Sequence, residues 1–143
     1  MSSKIVKKIM DSSCIFCKII EGKIPSHKII ESEKSYAFLD IGPLSKGHAL
    51  VIPKYHAEFM HQLPDDYLAD LLPLAKKVAL ASNFEFYNIL QNNGKIAHQV
   101  VPHVHFHLIP KPDMEQGLGI QWPAQQPDQE ELKKYLDSIK QNL

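Results

Sequence analysis

His103-Val104-His105-Phe106-His107-Leu108-Ile109-Pro110-Lys111 alternates three imidazoles with apolar side chains. Successive side chains of a β-strand point to opposite faces, so residues at i, i+2 and i+4 line one face. On that reading His103, His105 and His107 form an imidazole row, and Val104, Phe106 and Leu108 anchor the other face in a core. An imidazole binds metal, takes up a proton or attacks an electrophile near neutral pH. A solvated loop has no need of this alternation, and a core strand does not tolerate three imidazoles on one side. The stretch therefore reads as a functional site carried on a strand, spanning Val101 to Ile109.

Working outward, Phe86 to Leu90 is a second strand candidate. Upstream, Lys28 to Glu31 and Tyr36 to Asp40 flank a polar turn. His48 to Ile52 lies between Gly47 and Pro53. Leu63 to Ala81 places apolar residues at 67, 68, 71, 72, 75, 78 and 79, the spacing of an amphipathic helix, with Pro73 expected to kink it. Ile15 to Ile20 predicts a short helix stopped by Gly22 and Pro25, and the polar stretch Asp128 to Asn142 predicts a terminal one. Strands on both sides of a single long helix indicate an α+β domain on an antiparallel sheet of about five strands.

At 143 residues, with 44% hydrophobic and 22% charged side chains, the chain predicts one globular domain over residues 1–143, with 1–12 as a loose lead-in. Sixteen basic residues balance sixteen acidic ones, which argues against electrostatic nucleic-acid binding. The basic cluster from Lys4 to Lys8 reads as a solvated tail. No apolar run approaches the roughly 20 residues of a membrane span. Lacking a signal-like apolar stretch at its start, the chain is expected in the cytoplasm or nucleus.

Three aligned imidazoles suit two chemistries. One is a three-histidine zinc site with an open fourth position. The other is nucleophilic attack at phosphorus, one imidazole attacking while its neighbours bind phosphate oxygens. Asn92-Asn93-Gly94, a turn before the strand able to present amide donors, favours phosphate. Cys14-Ile15-Phe16-Cys17 has the two-residue gap of half a tetrahedral zinc site. A thioredoxin-like redox pair would need a βαβ context that is missing here, and a pair of buried thiols is the bland alternative.

From Cys14 to about Trp122 the chain resembles the histidine triad (HIT) hydrolases, and within them the fungal-type Hint branch. The resemblance rests on Phe38-Leu39-Asp40-Ile41, Lys46-Gly47-His48 with Leu50-Val51-Ile52-Pro53-Lys54 and His56, Asn93-Gly94-Lys95-Ile96-Ala97-His98-Gln99, and the triad itself. It implies a HIT-like homodimer and a purine nucleoside phosphoramidase acting on an AMP-like substrate. His105 would attack the α-phosphorus to form a nucleotidyl-histidine, while His107 and His103 hold phosphate oxygens or protonate the leaving amine. Asp40, Asn92 and Gln99 would bind substrate, Asp40 through the ribose hydroxyls. The wider family also implies alternatives: a dinucleoside polyphosphate hydrolase, a nucleotidyl transferase, or a nucleotide-binding scaffold with vestigial catalysis.

The same resemblance pairs Cys14 and Cys17 with His56 and His103 around a structural zinc, with no cofactor needed for catalysis. Trp122 would reach a partner subunit near its site. The family pattern usually carries a phosphate-contacting serine after Gln99, and this chain has Val100. His27, His48 and His61, as lone histidines, are given no role, and His98 is read as a surface group beside the site.

Overall fold

A computed structural model describes residues 9–143; the basic cluster Lys4 to Lys8 and most of the expected lead-in lie outside them. Among the described residues three helices accompany five strands: α1 (Ile15–Ile20), β1 (Lys28–Glu31), β2 (Ser35–Leu39), β3 (Ala49–Pro53), α2 (Asp65–Ser82), β4 (Tyr87–Gln91), β5 (Phe106–Pro110) and α3 (Gln129–Gln141). All pairings are antiparallel, in the order β1-β2-β3-β5-β4. The α+β architecture is the one the sequence pattern indicated.

Both faces of the sheet centre are covered, which explains why β2 and β3 read as nearly continuous apolar runs rather than alternating ones. Ala37, Ala49, Val51, Phe106 and Leu108 pack beneath α2 through Leu71, Leu74, Ala75 and Val78. On the opposite face Tyr36, Phe38, Leu50 and Ile52 pack against Phe16, Cys17 and Ile19 of α1. His107, paired with Leu50 across β3–β5, belongs to this second face.

Three expectations need correction. The strand carrying the triad begins at Phe106, not Val101. Pro102 has no N–H to give a ladder, and Val104 bonds Ala57 O at 2.8 Å, in a loop rather than in the sheet. His103 and His105 thus precede the strand, and the three imidazoles do not form one row. Second, α2 begins at Asp65 rather than Leu63 and includes Pro73, which lies on the exposed face with Ala69. Third, Leu72 of the predicted stripe is half exposed, and Leu74 takes its place in the core. Beyond Pro110 the chain has no further strand before α3; Lys111 N donates to Phe86 O at 2.8 Å and Gly117 N to Leu44 O at 3.1 Å. The start of α3 is capped by the Asp128 carboxylate accepting from Glu131 N at 2.8 Å.

Candidate active site

Where β2 ends and β3 begins, the antiparallel ladder carries one step further: Asp40 N donates to His48 O at 3.0 Å. This brings Asp40, His48 and the β5 residue His107 to one end of the sheet. They open onto a cavity of about 560 Å³, whose wall also includes His105, Asn92, Phe16 and Phe38. Imidazole, amide and carboxylate groups supply most of its polar lining, and the rest is mainly apolar.

His105 is buried, and its Nδ1 lies 2.7 Å from His103 O. A carbonyl only accepts, so Nδ1 carries the proton and Nε2 keeps its lone pair. Burial lowers the pKa of His105 below its usual 6.5, the hydrogen bond to His103 opposing only in part. The ring is therefore neutral near pH 7, as a nucleophile requires.

His48, a residue given no role from sequence, fixes the state of His107. Leu44 N–H donates to His48 Nδ1 at 3.1 Å, so the His48 proton sits on Nε2. That nitrogen lies 2.9 Å from His107 Nδ1, to which it donates. His107 is left with its proton on Nε2. Burial first, then the imidazoles of His105 and His48, hold the His107 pKa down to about 4. Asp40 Oδ2 stands 3.5 Å from His48 Nε2, and Asp40 Oδ1 accepts from Gly42 N at 2.8 Å. The same tautomer argues against a metal held by Asp40, His48 and His107, although their ligand atoms lie within 4.8 Å of one another. His48 Nδ1 already accepts a hydrogen bond, so a second lone pair at Nε2 would require an imidazolate.

His103 is turned away. Its ring is fully buried, with Nε2 donating to Pro53 O at 2.9 Å and Nδ1 at 3.3 Å from Cys14 Sγ and 3.6 Å from Cys17 Sγ. His56 Nδ1 approaches Cys17 Sγ at 3.6 Å, while His56 Nε2 faces Asp11 Oδ2 at 3.7 Å. Zn–S bonds of about 2.3 Å and Zn–N bonds of about 2.0–2.1 Å at tetrahedral angles place sulfur and nitrogen about 3.6 Å apart. The donor set fits that metal. Each imidazole turns one nitrogen inward, and its other nitrogen meets a carbonyl or a carboxylate, as ligating histidines do. Hydrogen bonding from Cys17, with His103 beside it, holds the Cys14 thiol well below its usual pKa, the direction a metal-binding sulfur requires.

The other predicted residues divide. Asn92 is buried on the cavity wall and donates from Nδ2 to His98 O at 3.2 Å. Gln99 does not line the cavity: its Nε2 donates to Glu58 O and Val101 O, at 2.8 and 3.1 Å, and its Oε1 accepts from Gly94 N at 2.7 Å. Gln99 braces the loop before the triad, and it occupies the Gly94 amide that the turn was expected to offer. Val100 lines the cavity and is 79% exposed. His98 also lines the cavity, held at φ 70°, in the left-handed region. The signal for His48 lay in its position: it follows Gly47 directly before a strand that pairs with the strand ending at Asp40.

An open antiparallel sheet whose inner strands present paired imidazoles at one end to a nucleotide-sized cavity is the architecture of a histidine triad protein. The chain belongs to that family: the HIT domain model matches residues 21–114. It is 58% identical over 125 residues to adenosine 5'-monophosphoramidase of Saccharomyces cerevisiae, covering 87% of this chain and 79% of that one. It is also 58% identical over 131 residues to the adenosine 5'-monophosphoramidase of Schizosaccharomyces pombe, covering 92% and 98%. Among solved structures, the histidine triad nucleotide-binding protein from Candida albicans superposes with a TM-score of 0.87 at 52% identity, covering 90% of this chain and 96% of that one.

Proposed function

We propose that the protein is a purine nucleoside phosphoramidase that hydrolyses the P–N bond of adenosine 5'-phosphoramidate-type substrates. The observation that carries this reading is the bond from His105 Nδ1 to His103 O, which leaves an unprotonated Nε2 in a buried ring at the cavity. Nε2 attacks the α-phosphorus, the N–P bond to His105 forms, and the bond to the amine breaks with its electron pair leaving on nitrogen. The departing amine takes a proton from the His107 side. Water then attacks phosphorus, the His105–phosphorus bond breaks, and the nucleoside monophosphate leaves.

Free His107 is neutral at pH 7. With Nδ1 accepting from His48, its Nε2–H is free to hydrogen-bond a phosphate oxygen or the leaving nitrogen as charge develops there, and the proton the amine takes up is replaced from solvent. Asp40, an acceptor-only group at the cavity edge, suits the two vicinal ribose hydroxyls. Asn92 supplies an amide near the phosphate, and the apolar wall around Phe16 and Phe38 takes the base. His103 acts through its carbonyl and not through its ring.

Zinc at Cys14, Cys17, His56 and His103 belongs to this reading. With four protein ligands it ties the N-terminal segment to the sheet and leaves no position for substrate. A homodimer also belongs to it, supported by the edge strand β4, where Tyr87 and Ile89 are exposed, and by the exposed Trp122.

The test is steady-state hydrolysis of adenosine 5'-phosphoramidate beside a dinucleoside tetraphosphate, with His105→Ala as control. Phosphoramidate turnover that disappears in the variant, with the polyphosphate barely cleaved, is the expected result. Equal turnover in both proteins, or none in either, overturns it in favour of a binding scaffold.

A further inference from the structure

Phe16 lies between the two cysteines in sequence and touches both halves of the triad in space. Its ring meets His105 edge-on, centroids 5.2 Å apart at 80°, and His103 at 5.8 Å and 79°. It also packs against Phe38 at 5.7 Å and forms part of the cavity wall. Ile15, Phe16, Ile19, Ile24, Pro25 and Ser26 of that wall all come from α1 and the loop after it.

A six-residue helix does not hold its shape alone. What fastens its start is the set of Cys14, Cys17, His56 and His103. Cys14 caps the helix, its Sγ accepting from Cys17 N at 3.4 Å. His103 joins the set by its ring and the nucleophile by its carbonyl. Two paths therefore lead from the four-residue set to the cavity: one through Phe16 to the wall and the His105 ring, the other through the His103 backbone to His105 Nδ1.

We propose that the Cys14–Cys17–His56–His103 set and the nucleotide cavity are energetically coupled through Phe16 and His103, so that a metal ion in the set tightens nucleotide binding. This rests on the nucleotide reading above. The physical reason is that the metal fixes the wall, so the nucleotide no longer has to order it on binding. Binding linkage is reciprocal, and the nucleotide raises metal affinity by the same factor. The set is then more than a staple for the chain: its occupancy sets how well the enzyme holds its substrate.

The experiment measures AMP affinity by calorimetry for zinc-loaded and zinc-free protein, and zinc affinity by chelator competition with and without AMP. Both ratios are expected near tenfold, within the usual range of such couplings. In Phe16→Leu, zinc affinity without AMP stays as in the wild type while the coupling factor falls, the path through the His103 backbone remaining. Equal AMP affinity in the two forms, a full coupling factor in Phe16→Leu, or absence of zinc binding overturns the proposal. Where zinc removal unfolds the chain, the competition arm on loaded protein decides.

Amide hydrogen exchange provides a readout that does not need the nucleotide. Zinc is expected to slow exchange across Ile15–Ile20 and at His105, and unchanged exchange there overturns the coupling. If AMP binds to neither form, the nucleotide reading fails, and exchange alone decides whether the set controls the wall.

Discussion

Two regions of this molecule share one nine-residue stretch, His103 to Lys111, and they differ in what surrounds the imidazole. His105 and His107 sit at a cavity, each with one nitrogen engaged by protein and the other left for chemistry. His103, two residues away, is fully buried with both nitrogens committed, one to Pro53 O and one to two cysteines. A histidine's role is thus set by where its second nitrogen points and not by its place in a motif. The first histidine of the triad meets His105 through its carbonyl, which any residue possesses; its ring faces the cysteines.

The widest separation of the two regions comes from paired variants. His105→Ala is expected to lower phosphoramidate turnover roughly a millionfold, as removal of a nucleophile does, while AMP affinity and thermal stability change little. Cys17→Ala reverses the pattern. With zinc at a thousandfold excess over its dissociation constant, losing the ligand set lowers the unfolding free energy by about 4 kcal/mol, read by urea denaturation. Were the cysteine variant as stable as the wild type, the second region would be a pair of buried thiols.

Acid distinguishes the regions next. His107, held to about 4 against an ordinary 6.5, stays neutral in the folded chain where the unfolded chain is protonated. Its folded pKa is depressed, so the stability it contributes is complete above pH 6.5 and is lost as pH falls toward 4. The loss is on the order of 3 kcal/mol, and buried His48 shifts in the same direction. Denaturation midpoints at pH 7, 5.5 and 4.5 check this, and a flat profile that persists in His107→Gln would mean that the imidazole is solvated.

His48→Phe tests the chain of tautomers. Without the Nε2–H donor, His107 is free to place its proton on either nitrogen, and kcat is expected to drop roughly a hundredfold with KM little changed. A rise in KM alone would assign His48 to substrate binding instead. The smallest effect belongs to Val100→Ser, which adds a hydroxyl to the cavity wall where the family usually has one. A gain of roughly threefold in kcat/KM is the size of one neutral hydrogen bond at an exposed position. A loss would show that the valine methyls contact substrate.

Much of this was legible in the chain. The apolar runs of β2 and β3, the 3.6-residue spacing of α2 and the short helix at Ile15–Ile20 are local patterns, and they placed each element within a residue or two. Alternation correctly sent Phe106 and Leu108 toward α2 and His107 to the other face. The same alternation failed at His103, because Pro102 and the Val104–Ala57 bond keep the chain out of the ladder until Phe106, five residues later than the expected start at Val101. Gln99 looked like a substrate ligand and is a loop brace, since its partners, Glu58 O and Gly94 N, come from a distant segment and a tight turn. His48 was passed over for the opposite reason: a single histidine has no period, and its importance comes from a strand register.

By itself, then, the sequence determined which elements form, which residues offer imidazole, thiol and amide groups, and the spacing that makes His105 and His107 neighbours. These follow from side-chain period and donor inventory, which are properties of short stretches. Only the tertiary structure decided the division of labour: the tautomer of each imidazole, the turning of His103 toward Cys14 and Cys17, and the place of His48 behind His107. Each of those depends on one hydrogen bond to a residue tens of positions away or to a backbone atom, and no local pattern encodes where that atom will lie.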